Sequence, residues 1–325
     1  MEGHFLDNNW LKEHSFKEIK IEDYDLFSKF IQQSSYFTGL WASNFTYIWS
    51  LSQLKNIKVF WKIIDHMLVP FIMTKKLYMY VWCLPFGKGN ENHVIKVTKK
   101  SLLLCKQWNY IHQQKNSATV NLVNERQFQF LASSPLFKEN FFYKKYDSKE
   151  IIWSVPKLVH LKGKEFSEIR SLRNKLKREH PTILFREYQP TDYKSVKKLK
   201  QIWNKTSGQK YKVITDHNLF HQVIHYYQAL QEKIYVATVD GKIVGIVTGA
   251  ILPNGISWGC IAKTLPGYKG LSEYLYTEFA KSMYSINPRL TMLHVGSDNN
   301  QEGLRRFKEK FRPIEQLELY ALKLR

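Results

Sequence analysis

Hydrophobic and polar positions alternate along this chain with two periods, and the places where one period gives way to the other set out an order of elements. The second half is the clearer. Residues 181–188 are β-rich and end at Gln189-Pro190, after which Thr191 and Asp192 cap a helix reaching 206 with Val196, Leu199, Ile202 and Trp203 on one face. Gly208 breaks it, and 218–230 predicts a second helix on the stripe Leu219, Phe220, Val223 and Tyr227. Residues 233–239 and 242–252 flank Asp240-Gly241, a dipeptide that accepts the positive φ of a tight hairpin. A third strand follows at 256–264. Pro266 and Gly267 then open a helix over 269–286, in which Leu271, Leu275, Phe279, Met283 and Ile286 recur at helical spacing until Asn287-Pro288 stops it. Strand 289–295, helix 300–311 and strand 314–324 complete the half.

The first half repeats this order with weaker punctuation. Residues 16–21 read as a strand, 24–33 and 44–56 as helices, and 58–64 with 67–74 as a hairpin about Asp65-His66. Strand 77–83, helix 97–113, strand 118–123, helix 125–132 and strand 140–153 follow. No residue-level repeat is visible, so the duplication is one of element order. Between the halves, 155–180 carries a helix with Phe166, Ile169, Leu172 and Leu176 on one stripe. Its other faces hold Lys162, Lys164, Arg170, Arg173, Lys175, Lys177 and Arg178 against only Glu165 and Glu168. The expected organisation is a lobe over 1–154, a basic interdomain helix over 155–180 and a second lobe over 181–325 that carries the site.

Composition sharpens the functional side. The 325 residues exceed the usual single-domain size. Forty-nine Lys and Arg against 28 Asp and Glu give a net charge of +21, which points to a polyanion, RNA or an anionic lipid surface, unless the excess reflects only a Lys-rich composition that favours solubility. Cys83, Cys105 and Cys260 stand far apart in no CxxC or CxH pattern, so neither a disulfide framework nor a zinc site is indicated, and a reducing compartment is expected. The start of the chain carries Glu2 and Asp7 and lacks the basic-then-apolar order of a leader peptide. No apolar run reaches the roughly 18–20 residues of a membrane span. The expectation is a cytoplasmic protein that can meet a membrane surface.

Particular residues then carry a resemblance. Leu161, Gly163 and Lys164, with Arg173 and Asn174, are similar to a signature of the phosphatidylglycerol lysyltransferase catalytic-domain family, with Leu172 standing where that family has a Lys. Lys263, Gly270, Glu278, Phe279 and Ala280 match its second block, and Asp298, Gly303, Leu304, Arg305, Lys308 and Pro313 its third. Residues 35–49 (SYFTGLWASNFTYIW) and 84–89 (LPFGKG) resemble its aromatic block and its turn. Residues 294–311 also look like the corresponding stretch of Fem-type peptidoglycan transferases. Tyr276 and His294 depart from the pattern. The resemblance implies an α/β (α+β) chain of two GNAT-like lobes in tandem, each a mixed, mostly antiparallel sheet flanked by helices and joined by a basic helix. It further implies transfer of an aminoacyl group from aminoacyl-tRNA to a lipid or small-molecule nucleophile, with no resident cofactor and no metal.

The candidate chemistry follows from what such a transfer needs: the nucleophile loses a proton, and the carbonyl oxygen is stabilised as charge develops on it. Asp298, past a strand and before a helix, is either a base or acceptor-orienting group or a helix cap. Lys263, at a strand end, either polarises the carbonyl or is a solvated lysine. Glu278 is a site carboxylate if it borders the core. Arg305 and Lys308 are spaced to grip a phosphate or to be surface charge. Arg170, Arg173, Asn174 and Lys175 form the expected tRNA contact. Tyr36, Phe37, Trp41 and Trp49 either stack a base or fill the core. Residues 267–272 occupy the place where CoA-dependent GNAT proteins bind pyrophosphate at a helix start, but only Lys269 and Gly270 suit that task, which favours a donor other than CoA. Acetyl-CoA-dependent N-acetylation of a small amine, and a non-catalytic RNA- or membrane-binding module, are the alternatives.

Overall fold

The structure is a computed structural model that describes residues 8–115, 117–210 and 216–325; the leader reading of the first seven residues lies outside these. Two compact units divide the chain. The first is 1–150 with 317–325, and the second is 151–316.

The first unit holds strands β1 (Lys17–Glu18), β2 (Ile57–Ile64), β3 (Met67–Thr74), β4 (Met79–Val81) and β5 (Thr119–Asn124), most of β6 (Phe141–Ser154), and the late strand β12 (Glu315–Leu324). Strands β2 and β3 form the expected hairpin, with Asp65 and His66 both at positive φ in its turn. Among the described residues the sheet is accompanied by the α-helices α1 (Asn8–Glu13), α2 (Tyr24–Gln32), α3 (Phe45–Ser52), α4 (Glu91–Ile111), α5 (Glu125–Ala132) and α6 (Pro135–Asn140). Asn44, Asn90 and Asn124 cap α3, α4 and α5 by accepting a backbone N–H of the first turn. Tyr36 and Trp49 are buried, the Tyr36 hydroxyl donating to Pro85 O, while Phe37 lies 4.5 Å beneath the Arg126 guanidinium. Strand β12 pairs antiparallel with β5, Leu319 opposite Asn124 and Leu322 opposite Val120. That corrects its expected place as the last strand of the second lobe. Leu322, fully buried in this core, explains the pairing.

The second unit begins with the end of β6 and adds β7 (Leu184–Glu187), β8 (Lys233–Val239), β9 (Lys242–Ile251), β10 (Ser257–Thr264) and β11 (Met292–Ser297), in the spatial order β7-β8-β9-β10-β11. Its helices are α7 (Val155–His160), α8 (Ser167–Glu179), α9 (Tyr193–Lys205), α10 (His217–Tyr226), α11 (Leu271–Ile286) and α12 (Glu302–Glu309). From β7 to β10 neighbouring strands are antiparallel, and β10 and β11 run parallel. One side of the sheet, with Tyr235, Val247 and Ala262, packs against Leu271, Leu275 and Phe279 of α11 and Ile169 and Leu176 of α8. Strand alternation sends Ile246, Ile261 and Lys263 to the other side, where α9 packs on β9 and β10. The basic stretch expected between the lobes thus packs, through α8, into the core of this unit. Among the described residues no helix is long and apolar enough to cross a membrane.

Candidate functional site

Strands β10 and β11 are registered at Ser257–Leu293 and Trp258–His294, where a parallel pair begins and then parts company. Along its other edge β10 pairs with β9 from Ser257 to Thr264, and the register slips between Gly259 and Ile261, so Cys260 is the extra residue of a β-bulge. Such a bulge turns backbone groups out of the ladder, and it lies beside the opening parallel pair. Burial pushes the Cys260 thiol well above its ordinary value, and the Glu232 carboxylate adds to the effect, so this sulfur is no nucleophile.

Lys263, four residues beyond Gly259, is buried and gives its ammonium to Asp216 Oδ2 at 2.5 Å while standing 3.8 Å over the Trp203 ring. The other Asp216 oxygen takes Lys200 at 3.2 Å. Lys200 is 2% exposed and lies against Trp203 and Phe220. One carboxylate therefore serves two buried ammoniums. Burial and the neighbouring Lys263 lower the Lys200 amine to about 8, against the pull of Asp216. Burial alone would raise the Asp216 carboxyl, but Lys263 and Lys200 together hold it below its usual range. His221 is also held low, by burial first and then by His217 and Lys200. Sequence reasoning singles out neither Lys200 nor Asp216. A signal exists for Lys200, which sits at the third place of the stripe Val196, Leu199, Lys200, Trp203 and so interrupts an apolar face.

The other predicted residues fall into separate groups. Asp298 is 1% exposed; its Oδ1 accepts the Asn300 N–H at 3.0 Å and its Oδ2 accepts Arg305 Nε at 2.6 Å. Both oxygens thus hold the turn leading to α12, whose N-cap position is Gln301. Lys308 turns inward. Its ammonium donates to the carbonyls of Val295, Gly296 and Ser297 at 2.6, 3.0 and 2.7 Å, which ties off the end of β11 and corrects its expected use as a phosphate grip alongside Arg305. His294 is buried, and its Nδ1 accepts the Gly296 N–H at 3.2 Å.

Glu278 lies on α11, on the sheet side opposite Lys263, where it is paired with Arg173 of α8 and with Lys281 at 3.0 Å. Arg170 donates to the carbonyls of Leu161 and Gly163, holding the turn in which Leu161 takes the left-handed conformation. Asn174 and Lys269 reach the surface, and Lys175 meets Glu179 at 3.5 Å. Gly270 has φ +88°, and a Cβ there would sit 2.5 Å from the Leu172 carbonyl oxygen, so the start of α11 is closed against the backbone of α8. The structure therefore joins Lys263 to residues not foreseen, joins Asp298 to Arg305, and sets Glu278 with Arg173 apart from both. Among the described residues no three His, Cys, Asp or Glu side chains gather as metal ligands.

A bulged β10 parting from β11, in a chain whose two halves share one element order, is the fold of the tandem GNAT type. The model of the family "Phosphatidylglycerol lysyltransferase, C-terminal" matches residues 103–323, and the chain belongs to that family. None of the curated protein sequences matches the chain. Among solved structures, a conserved protein of unknown function from Bacteroides thetaiotaomicron is 21% identical, with 95% of this chain and 99% of that one covered and a TM-score of 0.81. L-PGS from Bacillus licheniformis is 15% identical over 92% of this chain and 90% of its own, with a TM-score of 0.61. FemX is 11% identical over 93% and 96%, also at 0.61. At these identities the likeness is one of fold.

Proposed function

We propose that the chain moves an aminoacyl group from aminoacyl-tRNA to the amine or hydroxyl of a lipid or small-molecule acceptor, and that the second unit is where the transfer occurs. The observation that carries this reading is the Lys263–Asp216–Lys200 cluster: a buried ammonium, fixed by a carboxylate, on the strand that parts from β11. The acceptor attacks the ester carbonyl of the charged tRNA, a bond to that carbon forms, and the bond to the ribose oxygen breaks. Lys263 stabilises the negative charge that gathers on the carbonyl oxygen, where a fixed donor in a dry site is most effective. The attacking group surrenders a proton and the leaving ribose oxygen gains one. Lys200, with its amine lowered to about 8, is suited to relay it.

In this reading Asp298 holds Arg305 toward an anionic substrate, Glu278 holds Arg173, and Asn174, Lys175 and Lys269 at the surface meet the tRNA backbone. A donor other than CoA is supported by the start of α11, where the Leu172 carbonyl stands close against Gly270. The test is release of labelled amino acid from charged tRNA, with phosphatidylglycerol vesicles and with small amines as acceptors. Lys263→Met should slow transfer by roughly 10²–10³-fold, the usual cost of losing one such donor. Release no faster than the blank, or acetyl transfer from acetyl-CoA in its place, would overturn the reading.

A further inference from the structure

Helix α10 carries histidine at His217, His221 and His225, each about one turn beyond the last. The buried stripe of this helix is Leu219, Phe220, Val223 and Ile224, and the histidines run along its border. His217 and His225 are exposed and His221 is half-buried. The acyl-transfer reading gives none of the three a task.

The first two stand together. Their ring centres lie 5.1 Å apart with the planes at 76°. Two imidazoles bound through nitrogen to one tetrahedral ion have ring centres separated by about 5 Å, since each nitrogen lies about 2 Å from the metal. The helix therefore already sets this pair at chelating distance, and rotation about the side-chain bonds suffices to turn one nitrogen of each ring onto a shared ion. Phe220 meets His221 edge-on at 5.6 Å and confines that ring from the core side. No hydrogen bond among the described residues claims either imidazole, so binding an ion breaks none.

The electrostatic surroundings favour a metal over a proton. Burial first, then His217, Lys200 and Lys197, hold His221 below its ordinary value, which keeps the ring in the neutral form that ligates. The same lysines act against hard cations such as Mg²⁺ and Ca²⁺, which depend on carboxylate charge, and leave those that imidazole nitrogen binds through its lone pair.

We infer that His217 and His221 form a two-imidazole site for a divalent transition-metal ion of the zinc class, with water in the remaining positions. Asp216 is the N-cap residue of α10, but its oxygens are spent on Lys263 and Lys200, and among the described residues no third His, Cys, Asp or Glu completes a cluster. The site is accordingly open and its ion exchangeable, unlike the closed four-ligand sites that hold a structural zinc. An ion there ties together the first turn of the helix that presents Asp216 to the two lysines. The inference stands apart from the acyl-transfer reading, and neither depends on the other.

The experiment is isothermal titration of the full chain with Zn²⁺ at neutral pH, after dialysis against a chelator, alongside thermal melts and NMR of chain labelled at its histidine rings. Zn²⁺ should bind at this site, raise Tm and move the ring resonances of His217 and His221 together, while Mg²⁺ does none of these. His217→Gln and His221→Gln should each weaken the binding about tenfold or more and abolish the zinc-dependent rise in Tm. His225→Gln should leave the affinity unchanged, because that ring lies against Tyr226 at 4.6 Å. Lys197→Ala should tighten binding about two- to threefold, since one cation fewer then stands near the ion.

Unchanged zinc affinity in either His217→Gln or His221→Gln overturns the proposal. So does an equal loss in His225→Gln, which would mark loose binding by surface histidines, or binding seen only at millimolar zinc. Melting temperatures of the variants without zinc that match the parent's establish that they are folded. Acyl release plays no part in these measurements, so the failure of either reading leaves the other standing.

Discussion

Lys263 and Lys308 are both buried lysines of the second unit, one near the end of β10 and the other bonded to the end of its neighbour β11, and their surroundings could hardly differ more. Lys308 has three backbone carbonyls for its ammonium, all from one strand end. Its charge is dissolved in the backbone, as a bound cation would be. Lys263 shares a single carboxylate with Lys200, and both press on aromatic rings. Burial of a lysine alone therefore separates nothing. What separates them is whether the surroundings meet the charge in full, as a clamp does, or leave two cations in competition for one anion, the arrangement on which the proposed transfer draws.

The sharpest way to break this contrast is Asp216→Asn. It strands two buried ammoniums, and the unfolding free energy in urea should fall by about 3–5 kcal/mol. A smaller change would mean that the cluster is wetter than the contrast requires. Lys308→Met comes next. It leaves the carbonyls at the end of β11 without their donor, at about 2–3 kcal/mol by the same titration, while acyl release per folded molecule holds. Loss of release there beyond the loss of folded protein would erase the distinction between clamp and reactive group.

Gly270→Ala probes the closed start of α11. The positive φ and the close approach of Leu172 should lower stability by about 2 kcal/mol, read as a fall in Tm, with Lys269→Ala as the neutral neighbour.

A last test of the comparison is a matter of pH. Lys200 holds its proton with a value of about 8 when folded and an ordinary 10.5 when unfolded, so between these the unfolded chain binds more protons. The destabilisation is complete below about pH 8 and fades as pH rises toward 10.5. Lys200→Met removes that titration. Its Tm, measured against the parent, should therefore gain most below about pH 8, and the advantage should shrink through the window.

Much of the second unit is legible in the sequence because its signals are local. Asp240-Gly241 does form the hairpin turn, with both residues at positive φ, and the stripe from Leu271 to Met283 faces the core. In the first unit, β1 is only Lys17–Glu18 where 16–21 is expected, since Ile21–Asp23 turns into a short 3-10 helix that brings the Asp23 carboxylate back to the Lys20 N–H. Short helices escape as well: Val155–His160 and Pro135–Asn140 each follow a Ser cap and carry a Pro in the first turn, too brief to show a period.

The site is less accessible for a different reason. Lys263, Asp298, Arg305 and Glu278 can be named one by one, but pairing is set by tertiary placement. Asp216 meets Lys263 across 47 positions of chain, and no spacing rule reaches that far. Nor does periodicity tell which face of a strand an α-helix will cover, and that choice is what puts Glu278 and Lys263 on opposite sides.

The pairing of β12 with β5 bears on how the molecule is made. Leu319 and Tyr320 seat opposite Asn124 and Val123, so a ribosome must finish the entire second unit before the sheet of the first can close. Until then the nascent N-terminal half exposes an open strand edge and the apolar seat of Leu322, the kind of surface that chaperones hold and that aggregates when it waits too long. A fragment stopping at residue 150 should accordingly be recovered as inclusion bodies, and a synthetic peptide of the β12 sequence added during refolding should rescue it.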